Sequence, residues 1–251
     1  MTVAVVGGTG TLGALVVAEF LARGERVAAL SRRGAGVPAG AEHRRVDLTT
    51  GEGLDAALDG VSVVIDAANS RKDAEETLVE GTRRLAEAGA RAGVVNHATI
   101  SIVGIDLVPM SYYKTKLAQE EALAAGPAPW TLLRATQFHQ LVDSAFASAA
   151  RFGVRPTGKA KVQPVDPTIV AARLAEAALA APAGRLPDIG GPRIQTLGEL
   201  SEAWARARGK RRLPVRVPAW GKIGRSLALG ALCDERAATA GEDFQEWLRH
   251  G

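Results

Sequence analysis

Tyr112 and Lys116 stand four residues apart in Tyr112-Tyr113-Lys114-Thr115-Lys116, a spacing that puts two side chains on one face of a helix. A free phenol titrates near pH ~10 and is a poor acid or base at neutral pH. An ammonium beside it favours the phenolate and brings the hydroxyl towards working range. Tyr113 has leucine, not lysine, four residues on, so Tyr112 is the candidate proton donor and Lys116 its activator. Upstream, Thr99-Ile100-Ser101-Ile102-Val103-Gly104 ends a β-branched run. Strand alternation puts Thr99 and Ser101 on one face, where a hydroxyl could polarise a carbonyl oxygen as the phenol delivers its proton. Ser101 is the first choice for that role and Thr99 the alternate.

Such a constellation needs a rigid frame, and the first residues supply its strongest element. The apolar run Thr2-Val3-Ala4-Val5-Val6 enters Gly7-Gly8-Thr9-Gly10-Thr11-Leu12-Gly13, and an apolar helical stretch follows. Glycines at G-x-x-G-x-x-G spacing between a strand and a helix present backbone N–H groups to a pyrophosphate. Gly7 permits the tight turn, Gly10 lets the backbone approach phosphates, and Gly13 lets helix and strand pack closely. In such a site the second strand ends beside the adenosine ribose, where an acid would bond the hydroxyls of NAD. Here the strand ends in Ser31-Arg32-Arg33 with no acid. Fork-shaped cationic donors and a hydroxyl suit a 2′-phosphate, so NADP(H) is the expected cofactor, with Arg32 its principal reader. Asp47-Leu48 after the third strand and Ala67-Ala68-Asn69 after the fourth fit the same pocket. The carboxylate would accept from the adenine amino group, and the small residues would let the cofactor lie against the backbone. Lys116 could also reach the nicotinamide ribose.

The bulk composition excludes several classes. With 251 residues, 47% hydrophobic and 23% charged, the chain is neither compositionally disordered nor collagen-like. No apolar stretch reaches the length of a membrane span, and no basic leader precedes the first strand. One cysteine, Cys233, leaves no internal disulfide. A cytoplasmic protein is therefore expected. The net charge of +4 suits an anionic cofactor. Its basic residues are scattered except for Arg206-Ala207-Arg208-Gly209-Lys210-Arg211-Arg212, which reads as the charged end of a helix. No nucleic-acid or membrane partner is expected, only a small-molecule substrate. His43, His97, His139 and His250 lack metal-ligand spacing, so no metal is expected. His97 reads as a satisfied core or edge residue, and Trp204, Trp220 and Trp247 as core of a C-terminal lobe.

Short β-branched runs at 3–6, 27–30, 43–46, 61–66, 94–102 and 131–134 alternate with helical stretches near 12–23, 54–58, 74–89 and 113–124. That alternation is the signature of a doubly wound parallel sheet. Gly24, Gly60 and Gly126 are placed as helix C-caps. Residues 1–150 read as a Rossmann-type α/β domain. Residues 151–251 read mainly as a small substrate lobe, with part of it, about 160–182, returning to the sheet. Two amphipathic helices, near 167–180 and 196–208, stand out there, while segment 214–220 either closes over substrate or simply packs. Helices 74–89 and 113–124 offer surfaces for a homodimer.

Taken together, these motifs resemble the atypical and extended short-chain dehydrogenase/reductases, nearest the NmrA-like NAD(P)-binding proteins. The resemblance rests on the glycine turn, Ser31-Arg32, Asp47-Leu48, Ser101-Ile102-Val103-Gly104 and Tyr112-Tyr113-Lys114-Thr115-Lys116-Leu117. It continues in Leu132-Leu133-Arg134-Ala135-Thr136-Gln137-Phe138-His139 and Val162-Gln163-Pro164-Val165-Asp166, and loosens beyond Gly209. It implies NADPH-dependent reduction of a small organic carbonyl, or oxidation of the alcohol, by Tyr112, Lys116 and Ser101. Thr136, Gln137 and Phe138 would lie near the nicotinamide or substrate. The alternative from the same family is a non-catalytic NADP(H)-binding redox sensor acting through a protein partner. Such members resemble this chain in the glycine turn and lack an intact Y-x-x-x-K, which is present here. Extended members that act as epimerases carry an acid where this chain has Ser31-Arg32-Arg33.

Overall fold

In the computed structural model, residues 1–209, 212–239 and 241–250 are described. The chain opens β1 (Thr2–Val6), α1 (Thr11–Ala22), β2 (Arg26–Ser31), β3 (Glu42–Arg45), α2 (Leu54–Leu58) and β4 (Val63–Asp66). It continues α3 (Gly81–Arg91), β5 (Asn96–Ile102), α4 (Ser111–Ala125), β6 (Trp130–Ala135) and α5 (His139–Ala150). Then come β7 (Val154–Thr157), β8 (Lys161–Val162), α6 (Pro167–Leu179), β9 (Gly184–Arg185) and β10 (Gln195–Thr196). Last are α7 (Leu197–Ala207), β11 (Leu213–Arg216), α8 (Gly221–Leu229) and α9 (Phe244–Trp247).

β1 is buried at every position, as a strand covered on both faces must be. It sits inside a seven-stranded sheet of order β3-β2-β1-β4-β5-β6-β9. β2 and β4 pair with it in parallel on either side. The strand order therefore reverses at β1, and the crevice at that reversal is where open α/β sheets take their ligands. The α/β expectation holds. The seventh strand, two residues of β9 beside Thr131 and Leu132, is too short to announce itself in sequence.

The chain divides into two compact units. One comprises Met1–Ser101, Lys114–Leu133 and Pro167–Leu186; the other Ile102–Tyr113, Arg134–Asp166 and Pro187–Gly251. In the first, α1 packs against α6, and Asn96 at the start of β5 donates to the carbonyls of Ala177 and Ala178 in α6. Val6, Leu30, Leu58, Val64 and Leu85 anchor its core. Helix α3 is entered through six π-wound residues, Glu75–Glu80, in which the consecutive Leu78 and Val79 are both buried. Gly24 and Gly60 adopt positive φ just beyond their helices, as C-caps should. Gly126 does not. It is needed because a Cβ there would lie 2.8 Å from Ala86 Cβ.

The second unit has its own core of Phe146, Leu200, Trp204 and Phe244. β8 pairs antiparallel with β10 and β7 parallel with β11. Thr196 and Glu199 form a capping box at the start of α7. Trp204 is core, as expected; Trp220 is not, because it stands fully in solvent.

Candidate functional site

The glycine turn follows from what side chains would hit. Gly7 has φ +70°, and a Cβ there would lie 2.9 Å from Ala67 O; Ala67 N in turn donates to Val6 O at 3.1 Å. The turn after β1 and the end of β4 are thus pressed together, which is why small residues occupy positions 67 and 68. A Cβ on Gly8 would lie 3.0 Å from Ala29 Cβ, and one on Gly13 only 2.1 Å from Gly7 O. Gly10 N donates to Gly7 O at 2.8 Å and closes the turn. Gly10 is also the N-cap of α1, with no side-chain cap and no acid in the first turn. The first amide groups of α1 are left for an anion, and Gly10 and Thr11 face solvent there. These residues fit a dinucleotide pyrophosphate.

The end of β2 is less uniform than its sequence suggests. Ser31 Oγ donates to Arg33 O at 2.6 Å, and His43 Nε2 lies 3.2 Å from it. The serine hydroxyl is engaged in shaping the turn. Arg32 and Arg33 extend into solvent. Asp47 accepts from Thr49 N and Thr49 Oγ1 through one oxygen; these bonds, aided by the charge of Arg32, hold its carboxyl below the usual range. Leu48 is buried in the core beneath α3. Asn69 follows Ala67 and Ala68 and is exposed.

The third group is buried beneath α3 and α4. Lys116 is 4% exposed. Its Nζ donates to Ile100 O at 3.0 Å and to Gln119 Oε1 at 2.6 Å. Gln119 Nε2 donates to Asp66 Oδ2, and Thr82 Oγ1 donates to the same oxygen, each at 3.2 Å. Ala68 N donates to Asp66 Oδ1 at 3.0 Å. A carboxylate, an amide and an ammonium are thereby joined in a buried line running from the end of β4 to α4. Burial lowers the Lys116 pKa to about 8, against the opposing charges of Asp66 and Glu120. An ammonium has three N–H donors, and two of them are engaged by the bonds above.

β5 forms the wall beside this line. His97, Thr99 and Ser101 alternate along it, and Thr99 lies in register with Asp66. All three are buried, and His97 Nε2, Thr99 Oγ1 and Ser101 Oγ have no hydrogen-bond partner among the described residues. His97 is therefore a core residue but not a satisfied one, and burial lowers its pKa so that the ring is held neutral. The two candidate hydroxyls share one face, as strand alternation requires. Tyr112 and Tyr113 lie in the first turn of α4, with ring centroids 5.9 Å apart.

Beyond β6, Thr136 Oγ1 accepts from Gly191 N, and Gln137 uses both ends of its amide: Nε2 donates to Leu232 O and Oε1 accepts from Gln163 N. Gln137 ties three segments of the second unit together. Phe138 bridges to Val165. His139 stacks on Trp247 and contacts Phe244, a core position.

Sequence reasoning missed Asp66, Thr82, Gln119 and the unpaired His97. Lys116 and Gln119 are three residues apart on a helix, a signal for contact. Asp66 ends a strand that is otherwise apolar.

Comparison with known proteins bears on the fold and the family. The chain is 32% identical over 149 residues to the photosystem II assembly factor Ycf39 of Trieres chinensis, an alignment covering 56% of this chain and 47% of that protein. It thus spans about half the length of that relative. Its fold matches an Escherichia coli NADPH-dependent quinone oxidoreductase, QOR2, crystallised with NADPH, at 21% identity and a TM-score of 0.81, with 99% of each chain covered. It also matches a Staphylococcus aureus nucleoside-diphosphate-sugar epimerase at 16% identity and a TM-score of 0.79, covering 99% of this chain and 100% of that one. A family model described as NAD(P)H-binding matches residues 7–181, the span that holds the glycine turn, the Asp66 line and Lys116, and the chain belongs to that NAD(P)H-binding family.

Proposed function

We propose that this chain is an NADPH-dependent oxidoreductase of the short-chain dehydrogenase/reductase type, nearest the NmrA-like subgroup, acting on a small organic carbonyl or the corresponding alcohol. The observation that carries this reading is Lys116. It is a buried ammonium, held by Ile100 O and Gln119 Oε1, one helical turn after Tyr112, in a chain of an NAD(P)H-binding family.

The amide groups opening α1 and residues 7–13 hold the pyrophosphate, and Arg32, with Ser31 and Arg33 beside it, reads a 2′-phosphate. Asp47 and Leu48 flank the adenine, while Ala67, Ala68 and Asn69 give the cofactor a backbone surface to lie on. Residues 136–138 border the reacting end. Bound NADPH supplies the hydride. Tyr112 donates its phenolic proton to the substrate oxygen as charge develops there. The Lys116 ammonium stabilises the resulting phenolate and offers its remaining N–H to the cofactor ribose. Ser101, with an otherwise unsatisfied hydroxyl, orients the substrate oxygen. A buried polar atom without a partner costs about 1–3 kcal/mol, so a substrate that satisfies it gains binding energy.

The test is titration with NADPH and NADH, followed by NADPH oxidation against a panel of aldehydes, ketones and quinones. Quinones are included because the E. coli protein of similar fold is named for them. We expect NADPH binding and consumption by a panel member, with Tyr112→Phe lowering turnover at least ~100-fold, the scale of lost general-acid catalysis, at unchanged NADPH affinity. Binding without turnover of any panel member would favour the sensor reading. Absence of NADPH binding would overturn both.

A further inference from the structure

We propose that the ribbon formed by β7 and β11, together with α8, is a docking surface for an anionic lipid bilayer. This replaces the expectation of no membrane partner with a peripheral one. No helix among the described residues is long and apolar enough to cross a membrane.

The first observation is apolar. Phe152 and Trp220 are each 83% exposed, Leu229 81% and Leu213 67%, and Val215 and Val217 lie in solvent beside them. A single exposed leucine carries no information, but Phe152, Leu213, Val215 and Val217 lie on or next to one two-stranded ribbon, and Trp220 and Leu229 on the segment that follows it. Leu213 N donates to Gly153 O at 3.1 Å, which sets Phe152 beside Leu213 at one end of the ribbon. Leu213, Val215 and Val217 alternate along β11 and so share a face. Val217 N donates to Thr157 O at the other end. A Cβ on Gly224 would lie 2.6 Å from the Ala219 carbonyl carbon, so the first turn of α8 packs against the residues just before it. None of the nine residues of α8 is buried.

The second observation is charge. Between Glu202 and Asp234 the chain has Arg206, Arg208, Lys210, Arg211, Arg212, Arg216, Lys222 and Arg225, and no acid. These eight belong to a total of 31 Lys and Arg set against 27 Asp and Glu, so the remainder of the chain is acidic on balance. Lys210 and Arg211 fall outside the described residues. Arg208 is paired with Asp143 at 3.1 Å, whereas Arg216, on the face of β11 opposite Val215 and Val217, and Lys222 and Arg225 on α8 are exposed and form no ion pair among the described residues.

On α8, Lys222, Arg225 and Leu229 stand at i, i+3 and i+7, share one helix face and are exposed; a face that joins cations to apolar side chains is complementary to anionic headgroups over acyl chains. Tryptophan prefers the bilayer interface. Four of the six apolar side chains named here, Leu213, Val215, Val217 and Leu229, have no π-face to stack on bases, which favours a bilayer over a nucleic acid. Pro214 removes an N–H from β11 and Pro156 one from β7, which disfavours strand addition by a second copy.

The test is sedimentation of the whole chain with vesicles of phosphatidylcholine alone, or with about one-third phosphatidylserine. Binding to the anionic vesicles is expected, at least ~10-fold weaker on pure phosphatidylcholine and reduced in ~0.5 M salt. The triple variant Arg216→Glu/Lys222→Glu/Arg225→Glu should lose at least ~10-fold in affinity, and Trp220→Ser/Leu229→Ser should also bind more weakly. Circular dichroism and Tm of both variants confirm that the fold is kept. Absence of binding to anionic vesicles, or equal binding by the triple variant, overturns the proposal. Dimerisation that is lost in Trp220→Ser/Leu229→Ser would give the face to a second copy, and tighter binding to duplex DNA than to vesicles would give it to nucleic acid. Either result overturns it too.

Discussion

Lys116 combines two demands that pull against each other. The proposed role needs a charge, and burial disfavours one, so the pKa falls from 10.5 to about 8. The linkage to stability has a definite sign. Between about pH 8 and 10.5 the folded lysine has lost its proton while the unfolded lysine keeps it, so the unfolded state binds more protons and stability rises with pH across that window. The gain is complete above the unfolded pKa and is lost as pH falls through about 8. At ~1.4 kcal/mol per pKa unit, its ceiling is about 3 kcal/mol. Urea denaturation of wild type and Lys116→Met at a series of pH values should show this rise in the wild type alone. Parallel curves would mean that Lys116 is not a buried cation. Catalysis has the opposite sign, because kcat/KM should fall above about pH 8 as Tyr112 loses its cationic neighbour. At the other end of the site, Arg32→Glu should weaken NADPH binding ~10- to 100-fold, the scale of a charge-assisted hydrogen bond, and leave NADH nearly unchanged. Equal losses for both nucleotides would remove Arg32 from phosphate recognition. Arg32 and Lys116 could be put forward from the sequence because charged residues at fixed positions after a strand or along a helix carry a local signal. Asp66, Thr82 and Gln119 were not, because their partnership joins residues far apart in sequence.

The turn between β1 and α1 is set by backbone proximity. A methyl group at Gly13 would lie 2.1 Å from Gly7 O, and neither partner is a flexible side-chain tip, so relief requires moving helix from strand. Gly13→Ala should therefore cost at least ~3 kcal/mol, the upper end of overpacking penalties, and weaken NADPH binding with it. Gly24→Ala is the contrasting case: its Cβ would meet nothing within 4 Å, so only the φ of +78° opposes it, at about 1 kcal/mol. Thermal denaturation of both variants checks the order, and equal shifts would refute the steric account. The same logic explains which elements could be read in advance. β1, β2 and β4 each hold a run of three to five mostly β-branched or apolar residues with a glycine close by, and that pattern survives without tertiary context. β7 and β11 each contain proline, which marks an edge and lowers strand propensity. α5 begins after Phe138 with no side-chain cap, so the usual N-terminal signal is missing. β9 has two residues and exists only because β6 is there to pair with it.

Among the described residues, each unit has an apolar cluster of its own. Val6, Leu30, Leu58 and Val64 belong to one cluster of the first unit; Phe146, Trp204, Phe244 and Leu248 form that of the second. The second cluster draws on α5, α7 and α9, which are distant in sequence, so it depends on the four-residue helix α9 arriving correctly. That short helix is held by a capping box of Asp243 and Glu246 and by an ion pair from Arg193 to Asp243 at 2.8 Å. Phe244 itself is fully buried, 6.4 Å from the Phe146 ring and 5.9 Å from that of Trp247. Phe244→Ala leaves a cavity among aromatic neighbours that cannot easily collapse, and should cost about 3–5 kcal/mol. Asp243→Ala removes the cap and should cost about 1 kcal/mol. Urea denaturation followed by tryptophan emission reads this cluster once Trp130 and Trp220 are replaced by phenylalanine, because Trp204 and Trp247 pack in it. A Phe244→Ala shift below ~1 kcal/mol, the range of an ordinary surface substitution, would show that α9 merely rests on the second unit instead of completing its core.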